Sequence, residues 1–192
     1  YTVFKFFKYM SLPESFPIVN ETTPAKVLMV CLGNICRSPT LQIVLTTFAK
    51  SRQLNIIAES AGTASYHVGE GAHPPTIKYG RKRGYDLGEH RARQFHSDDF
   101  HKYDLILAAD KSNYKNIMAK CPPDGNKDKV RMATDFLAPD TKFTGLDHVP
   151  DPWGGDADDY YTVVDLSEET MAVLCDKIEA HSKKQSNSQQ NQ

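Results

Sequence analysis

The sequence predicts an α/β fold, a single domain in which a parallel sheet is wrapped by helices on both faces, and two patterns carry that prediction. Short continuous apolar runs alternate along the chain with stretches whose apolar residues recur at helical spacing. The runs are apolar throughout rather than at every second residue, as in strands buried on both faces. At 192 residues the chain is long enough for one ordinary domain and short for two.

Residues 1–24 read as a leader and linker, disordered or loosely packed. Tyr1–Met10 sets lysines among aromatics without the apolar centre or cleavage site of a signal peptide, and Met10, followed by Ser11, is a candidate start. Pro13, Pro17 and Pro24 then rule out a helix or a central strand. The domain proper is assigned to residues 25–182. Lys26–Val30 is the first strand and ends at Cys31. Pro39–Leu54 is a helix, with Leu41, Val44, Leu45, Phe48 and Leu54 at helical spacing and a proline in the first turn, where a missing N–H costs nothing. Asn55–Ala58 reads as a strand, Thr76–Arg83 as a helix, and Tyr103–Ala108 as a further buried strand. Lys111–Lys120 is a helix stopped by Pro122 and Pro123, and Val130–Met132 is a short last strand. Tyr160–His181 closes the domain as a helix with Val164, Met171, Leu174, Cys175 and Ile178 on one face. Residues 183–192, KKQSNSQQNQ, have nothing to bury and are assigned as a disordered polar tail.

Composition narrows the function classes. The chain is 40% hydrophobic and 24% charged, and no apolar run approaches the length that spans a bilayer, so no stable membrane insertion is expected. A formal net charge of -1 supplies no field that would draw the chain to nucleic acid, so any anion must be held by local geometry. Four cysteines, Cys31, Cys36, Cys121 and Cys175, are too sparse for a secreted disulfide framework and point to a reducing, cytoplasmic setting.

The chemistry concentrates in Val30-Cys-Leu-Gly-Asn-Ile-Cys-Arg-Ser-Pro39. Leu32, Gly33, Asn34, Ile35 and Cys36 form a loop short enough to curl around one point and turn successive backbone N–H groups inward. Gly33 and Asn34 tolerate the positive φ such a nest requires. The helix N-terminus behind it adds free N–H groups and the positive end of a dipole, so a phosphate fits there. Arg37 supplies a planar two-pronged donor for two phosphoryl oxygens. Cys31, at a strand end where parallel sheets bind ligands, is then placed as a nucleophile. An ordinary thiol is only a few per cent thiolate at neutral pH. A three-unit shift corresponds to about 4 kcal/mol, and a helix terminus contributes at most roughly 2 kcal/mol. The loop amides, the Ser38 hydroxyl and Arg37 must therefore act with the dipole as one assembly. A buried packing role for Cys31 would leave the Arg-Ser-Pro and glycine context without a reason. The spacing of Cys31 and Cys36 is not a zinc knuckle's, and none of the seven histidines stands in an HExxH-like arrangement, so neither metal nor cofactor is expected.

The loop CLGNICRSP resembles that of the low-molecular-weight protein tyrosine phosphatases. The resemblance extends over about Ala25–Ala180, because Glu59-Ser-Ala-Gly-Thr63, Arg83-Gly84, Asp104-Leu-Ile-Leu107, Asp110 and Val149-Pro-Asp-Pro152 follow in the family's order. It implies a four-stranded parallel sheet with the phosphate-binding loop after the first strand. It also implies metal-free hydrolysis of phosphotyrosine esters through a phosphocysteine, with inorganic phosphate as product. An aryl ester needs an acid opposite the thiolate, and the residues alone leave Asp135, Asp140, Asp147, Asp151, Asp156, Asp158 and Asp159 open; the family's Asp-Pro-aromatic pattern assigns Asp151. Trp153, the single tryptophan, falls where the family sets an aromatic wall, and Ile35 joins it in the substrate pocket. The resemblance further places Ser60 with Asn34 and Ser38 in the hydrogen bonds that shape the loop, Asp110 near the loop, and Cys36 as redox partner of Cys31 in a reversible disulfide. Three positions depart from the pattern: Arg83 stands at a histidine, Gly154 at a second aromatic, and Gln42 at a common glutamate.

Alternatives from other classes remain distinguishable. Phosphoarginine hydrolysis on the same scaffold goes with a threonine where Ile35 stands. Arsenate reduction needs resolving cysteines whose spacing Cys121 and Cys175 do not show. A silent phosphopeptide-binding module is disfavoured by the joint presence of Cys31, Arg37 and Asp151. The basic residues Lys78, Arg81, Lys82, Arg83, Arg91 and Arg93 read as a solvated face. Expected partners are phosphotyrosine-containing proteins, and the chain is expected to be a monomer or a weak homodimer.

Overall fold

The computed structural model describes residues 11–190, with side chains as far as Lys183. The leader Tyr1–Met10 and the last two residues lie outside the described residues. In chain order the elements are β1 (Ala25–Cys31), α1 (Arg37–Ser51), β2 (Ile56–Gly62), α2 (Pro74–Lys82), α3 (Asp99–Lys102), β3 (Leu105–Ala108), α4 (Lys111–Ala119), β4 (Val130–Met132) and α5 (Ala157–Gln190). Short 3-10 turns flank β4 at Lys127–Lys129 and Ala133–Phe136.

The four strands form one parallel sheet in the order β2-β1-β3-β4, as expected. β1 lies inside it because its apolar run serves both faces in turn. Val27, Met29 and Cys31 face Leu41, Val44 and Leu45 of α1 and Leu166, Met171 and Leu174 of α5, whereas Leu28 and Val30 face Phe95, Phe100 and Ile117. Each such side chain, withdrawn wholly from water, contributes about 1.5–3 kcal/mol. The register sets Cys31 opposite Gly62 at the carboxyl end of β1.

β2 runs four residues beyond the Ala58 at which its apolar pattern stops. An edge strand buries only part of its surface, so the exposed Glu59 continues the ladder without being apolar, whereas Ser60 is buried with its hydroxyl hydrogen-bonded. The short α3 carries no periodic signal and was invisible in the sequence. Ser11–Pro24 has no regular element, in line with its prolines, yet it is not loosely packed. Phe16 is buried in the main core and edge-on to His181, whose Nε2 lies 3.1 Å from Phe16 O, and the Val19 amide donates to Ser182 Oγ at 3.1 Å. α5 also corrects an expectation, since it continues through Gln190 across most of the segment assigned as a disordered tail. Lysine and glutamine are good helix formers, no glycine or proline intervenes, and extending a formed helix costs far less than nucleating one. Among the described residues no helix is long and apolar enough to cross a membrane.

Candidate active site

Five residues lead from the end of β1 to the start of α1, and Asn34 makes that reversal possible with a left-handed φ of 57°. The Asn34 amide donates to Cys31 Sγ at 3.2 Å, and Ser38 Oγ lies 3.0 Å from the same sulfur. The Asn34 side chain is fully buried and fully used: Nδ2 donates to Ser38 Oγ at 2.9 Å and to Ser60 Oγ at 2.8 Å, while Oδ1 accepts from the Arg93 amide at 2.9 Å. Ser60 Oγ donates onward to Gln42 Oε1 at 2.6 Å, and Gln42 Nε2 donates to Ala58 O at 3.2 Å. The glutamine that departs from the family pattern thus closes the network with both its donor and its acceptor.

The histidine of this network is not at the Arg83 position. Arg83 pairs with Asp165 at 2.8 Å and lies over the Tyr161 ring, whereas His90 Nε2 lies 2.7 Å from Asn34 O. Burial pushes the His90 imidazole below its ordinary pKa, against the pull of the Asn34 carbonyl, so the neutral ring donates through Nε2–H. The sequence contained this histidine within Glu89-His-Arg-Ala-Arg93, but nothing in its spacing marked it as a loop contact.

Arg37 is buried and held by two carboxylates: Nη1 donates to Asp110 Oδ2 at 2.7 Å, and Nη2 lies 2.9 Å from Asp151 Oδ2. Burial works against its charge, but the neighbouring Cys31, Asp151 and Asp110 outweigh that and hold its proton more tightly than usual. Asp110 does two jobs, since its Oδ1 also accepts the Asn113 amide as N-cap of α4. Burial pushes this carboxyl up, yet the Asn113 amide and Arg37 prevail and keep it below the usual carboxylate range.

A cleft of about 220 Å³ opens above the loop, lined by Cys31, Leu32, Gly33, Ile35, Cys36, Arg37, Asp151 and Trp153 together with Tyr66 and His67. Trp153 is 66% exposed and Tyr66 75% exposed, so two aromatic side chains stand at its rim. Tyr66 and His67 had no sequence signal, lying in a glycine-flanked loop without a motif. Cys31 and Cys36 are both free thiols on this cleft, and burial pushes Cys36 up to about 12. Close backbone approach explains one glycine here: a Cβ at Gly62 would come 2.7 Å from Leu32 O. Of the basic residues, Lys78, Arg81, Lys82, Arg83 and Arg91 are exposed, as in a solvated face, with Arg81 paired to Asp86 and Arg83 to Asp165, whereas Arg93 is half-buried against Asp99. Among the described residues no group of three or more His, Cys, Asp or Glu side chains is arranged to hold a metal ion.

This arrangement can grip a tetrahedral oxyanion and present a thiol to its centre, and the comparisons agree with that chemistry. The model of the low molecular weight phosphotyrosine protein phosphatases matches residues 26–186. A putative low molecular weight protein-tyrosine-phosphatase of Synechocystis sp. is 42% identical over 151 residues, which cover 78% of this chain and 93% of that protein. The low molecular weight phosphotyrosine protein phosphatase of Dictyostelium discoideum is 37% identical over 169 residues, with 81% and 94% covered. The crystal structure of a protein tyrosine phosphatase from Entamoeba histolytica with Hepes in the active site superposes with a TM-score of 0.76 at 36% identity, covering 82% of this chain and 98% of that one. With sheet order, loop and sequence in agreement over almost the full length of these relatives, the chain belongs to the low molecular weight phosphotyrosine protein phosphatase family.

Proposed function

We propose that the protein hydrolyses phosphotyrosine esters in proteins, with Cys31 as nucleophile, Arg37 as phosphoryl clamp and Asp151 as acid and base. One observation carries the reading: the Asn34 amide and Ser38 hydroxyl converge on Cys31 Sγ beside a buried Arg37 pinned by two carboxylates. The phosphoryl group sits in the loop with its equatorial oxygens on the backbone amides and Arg37. Cys31 Sγ attacks phosphorus in line, the bond from phosphorus to the phenolic oxygen breaks, and Asp151 gives that oxygen its proton. The phosphoryl oxygens replace Asp151 as the partner of Arg37 Nη2, which frees the carboxyl to reach the leaving group. Water then attacks the phosphocysteine, Asp151 takes a proton from it, and the S–P bond breaks to release inorganic phosphate and restore the thiolate. Leu32, Gly33, Ile35 and Cys36 line the phosphate end of the cleft, and Ser60, Asp110, Gln42 and His90 keep the loop in shape.

Trp153 and Tyr66 at the rim favour a flat aromatic leaving group over the short alkyl chain of phosphoserine. The test compares phosphotyrosine, phosphoarginine and phosphoserine peptides with matched flanks. Turnover of the phosphotyrosine peptide above both others is expected. Preference for phosphoarginine, or equal turnover of phosphoserine, would sink the assignment.

A further inference from the structure

Asp151 is carried by a segment whose two ends are fixed unequally. On one side the Val149 amide donates to Ala109 O at 2.8 Å, which ties the segment to the end of β3. On the other side a turn closed only on itself, the Gly155 amide donating to Pro152 O at 3.0 Å and Gly154 at φ 79° with open space around it, leads from Pro152 to the first turn of α5. A glycine pair is soft, so the placing of Asp151 over the thiol depends on what fixes that turn.

His73 spans the gap. Its backbone N–H donates to Ile35 O of the phosphate loop at 2.8 Å, and its Nδ1 lies 2.9 Å from Tyr160 Oη on the first turn of α5. Tyr160 is only 4% exposed, packs with Ile35 and Cys36, stacks on Tyr79 at 5.4 Å, and shares a crevice with Pro152 next to the acid. A hydroxyl so buried is costly without a partner. Burial lowers the His73 imidazole's hold on a second proton and keeps the ring neutral, and burial with the nearby Cys36 and Asp151 pushes Tyr160 up to about 12, so its hydroxyl stays protonated; with that hydroxyl as donor, Nδ1 accepts and the ring's one proton is assigned to Nε2. Arg37, two residues after Ile35, pairs with Asp151, so the loop and the Asp151 segment are joined both through Arg37 and through the His73–Tyr160 bond.

We propose that Tyr160 is a positioning residue: its hydrogen bond to His73 sets the Asp151 segment against the thiol-bearing loop at the separation that proton delivery to the leaving oxygen requires. The inference rests on Asp151 being the acid, and it predicts a defect in proton delivery rather than in phosphate binding. A displaced acid matters for phenyl phosphate, whose leaving group needs the proton, and hardly for dinitrophenyl phosphate, whose leaving group does not.

The experiment measures kcat/KM, which reports cleavage of the ester and not the later hydrolysis of the phosphocysteine, for both esters in the full chain and in Tyr160→Phe, His73→Ala and the double variant. In each single variant the phenyl phosphate rate is expected to fall about tenfold to a hundredfold while the dinitrophenyl phosphate rate stays within about threefold. The double variant should lose no more than either single one. Equal losses on both esters, an unchanged phenyl phosphate rate, or losses that add in the double variant would overturn the proposal. If thermal melts show one single variant unfolded, the other decides; if both are unfolded, the bond is a clamp on the fold and the proposal fails. A wild type inactive on both esters, or an Asp151→Ala variant that keeps its phenyl phosphate rate, overturns the functional reading itself.

Discussion

Replacing Asn34 with alanine removes the centre of the buried network beneath the loop while leaving the thiol and the arginine in place. Three buried side-chain hydrogen bonds are lost, to Ser38 Oγ, Ser60 Oγ and the Arg93 amide. At about 0.5–1.5 kcal/mol each they sum to about 3 kcal/mol. Alanine must also hold the left-handed backbone that asparagine occupies at φ 57°, which costs roughly 1 kcal/mol more. Ser60 keeps Gln42 and Ser38 keeps Ala61 O as partners, so those hydroxyls are not orphaned and the total stays at about 4 kcal/mol. Urea unfolding at neutral pH reads that loss as a lower midpoint at unchanged slope. Asn34→Gly separates the two parts, since glycine takes the left-handed backbone freely at the expense of a more mobile unfolded chain, and it should be about 0.5–1 kcal/mol more stable than the alanine variant. A loss below about 1 kcal/mol in Asn34→Ala, or a glycine variant no better than the alanine one, would refute the network reading.

Other perturbations test separate parts of the site. Gly62→Ala drives a Cβ to 2.7 Å from Leu32 O, an atom of the loop backbone, and should cost about 1–3 kcal/mol in urea unfolding and lower kcat with it; wild-type stability and turnover would contradict the close approach. Trp153→Ala should leave stability unchanged, because the side chain is 66% exposed, but raise KM for aryl phosphates about threefold to tenfold through lost ring contact; an unchanged KM removes Trp153 from the pocket wall. Burial depresses both His73 and His90 from an ordinary value of 6.5. The unfolded chain therefore takes up their protons first, and their stabilisation, complete above that value, is lost as pH falls from about 6.5 toward the lower folded-state values. His90→Gln, which keeps a donor to Asn34 O, should lose less stability between pH 7.5 and 5.5 than the wild type does, and an equal or larger loss would show that His90 does not titrate abnormally.

Much of the fold and part of the site could be read from the chain because local pattern and tertiary role coincide there. β1 is apolar on both faces and buried on both, and residues 32–36 form a short loop between β1 and α1 whose own backbone turns the Asn34 amide onto Cys31 Sγ. The pairing of Arg37 with Asp110 and Asp151 joins positions far apart in sequence, and family resemblance, not spacing, brought them together. What stayed hidden depends on which surface loops meet in space. Tyr66 and His67 reach the cleft, and His90 the loop behind it, from segments without periodicity, and Arg83, read as standing at the family's histidine, pairs with Asp165 instead. Phe16 and the extended α5 were missed for a related reason: proline and polar composition speak against local structure but not against docking or helix propagation.

The central claim is that Cys31 carries the phosphoryl group. Incubating Asp151→Ala with dinitrophenyl phosphate, quenching, and mapping the peptides by mass spectrometry tests it directly, because this ester still phosphorylates the thiol while the missing base slows its release. One phosphoryl group on the peptide carrying Cys31, absent from the Cys31→Ser protein, which should also show no turnover, is the result the account predicts. A phosphoryl group on another residue, or turnover that survives Cys31→Ser, would contradict it.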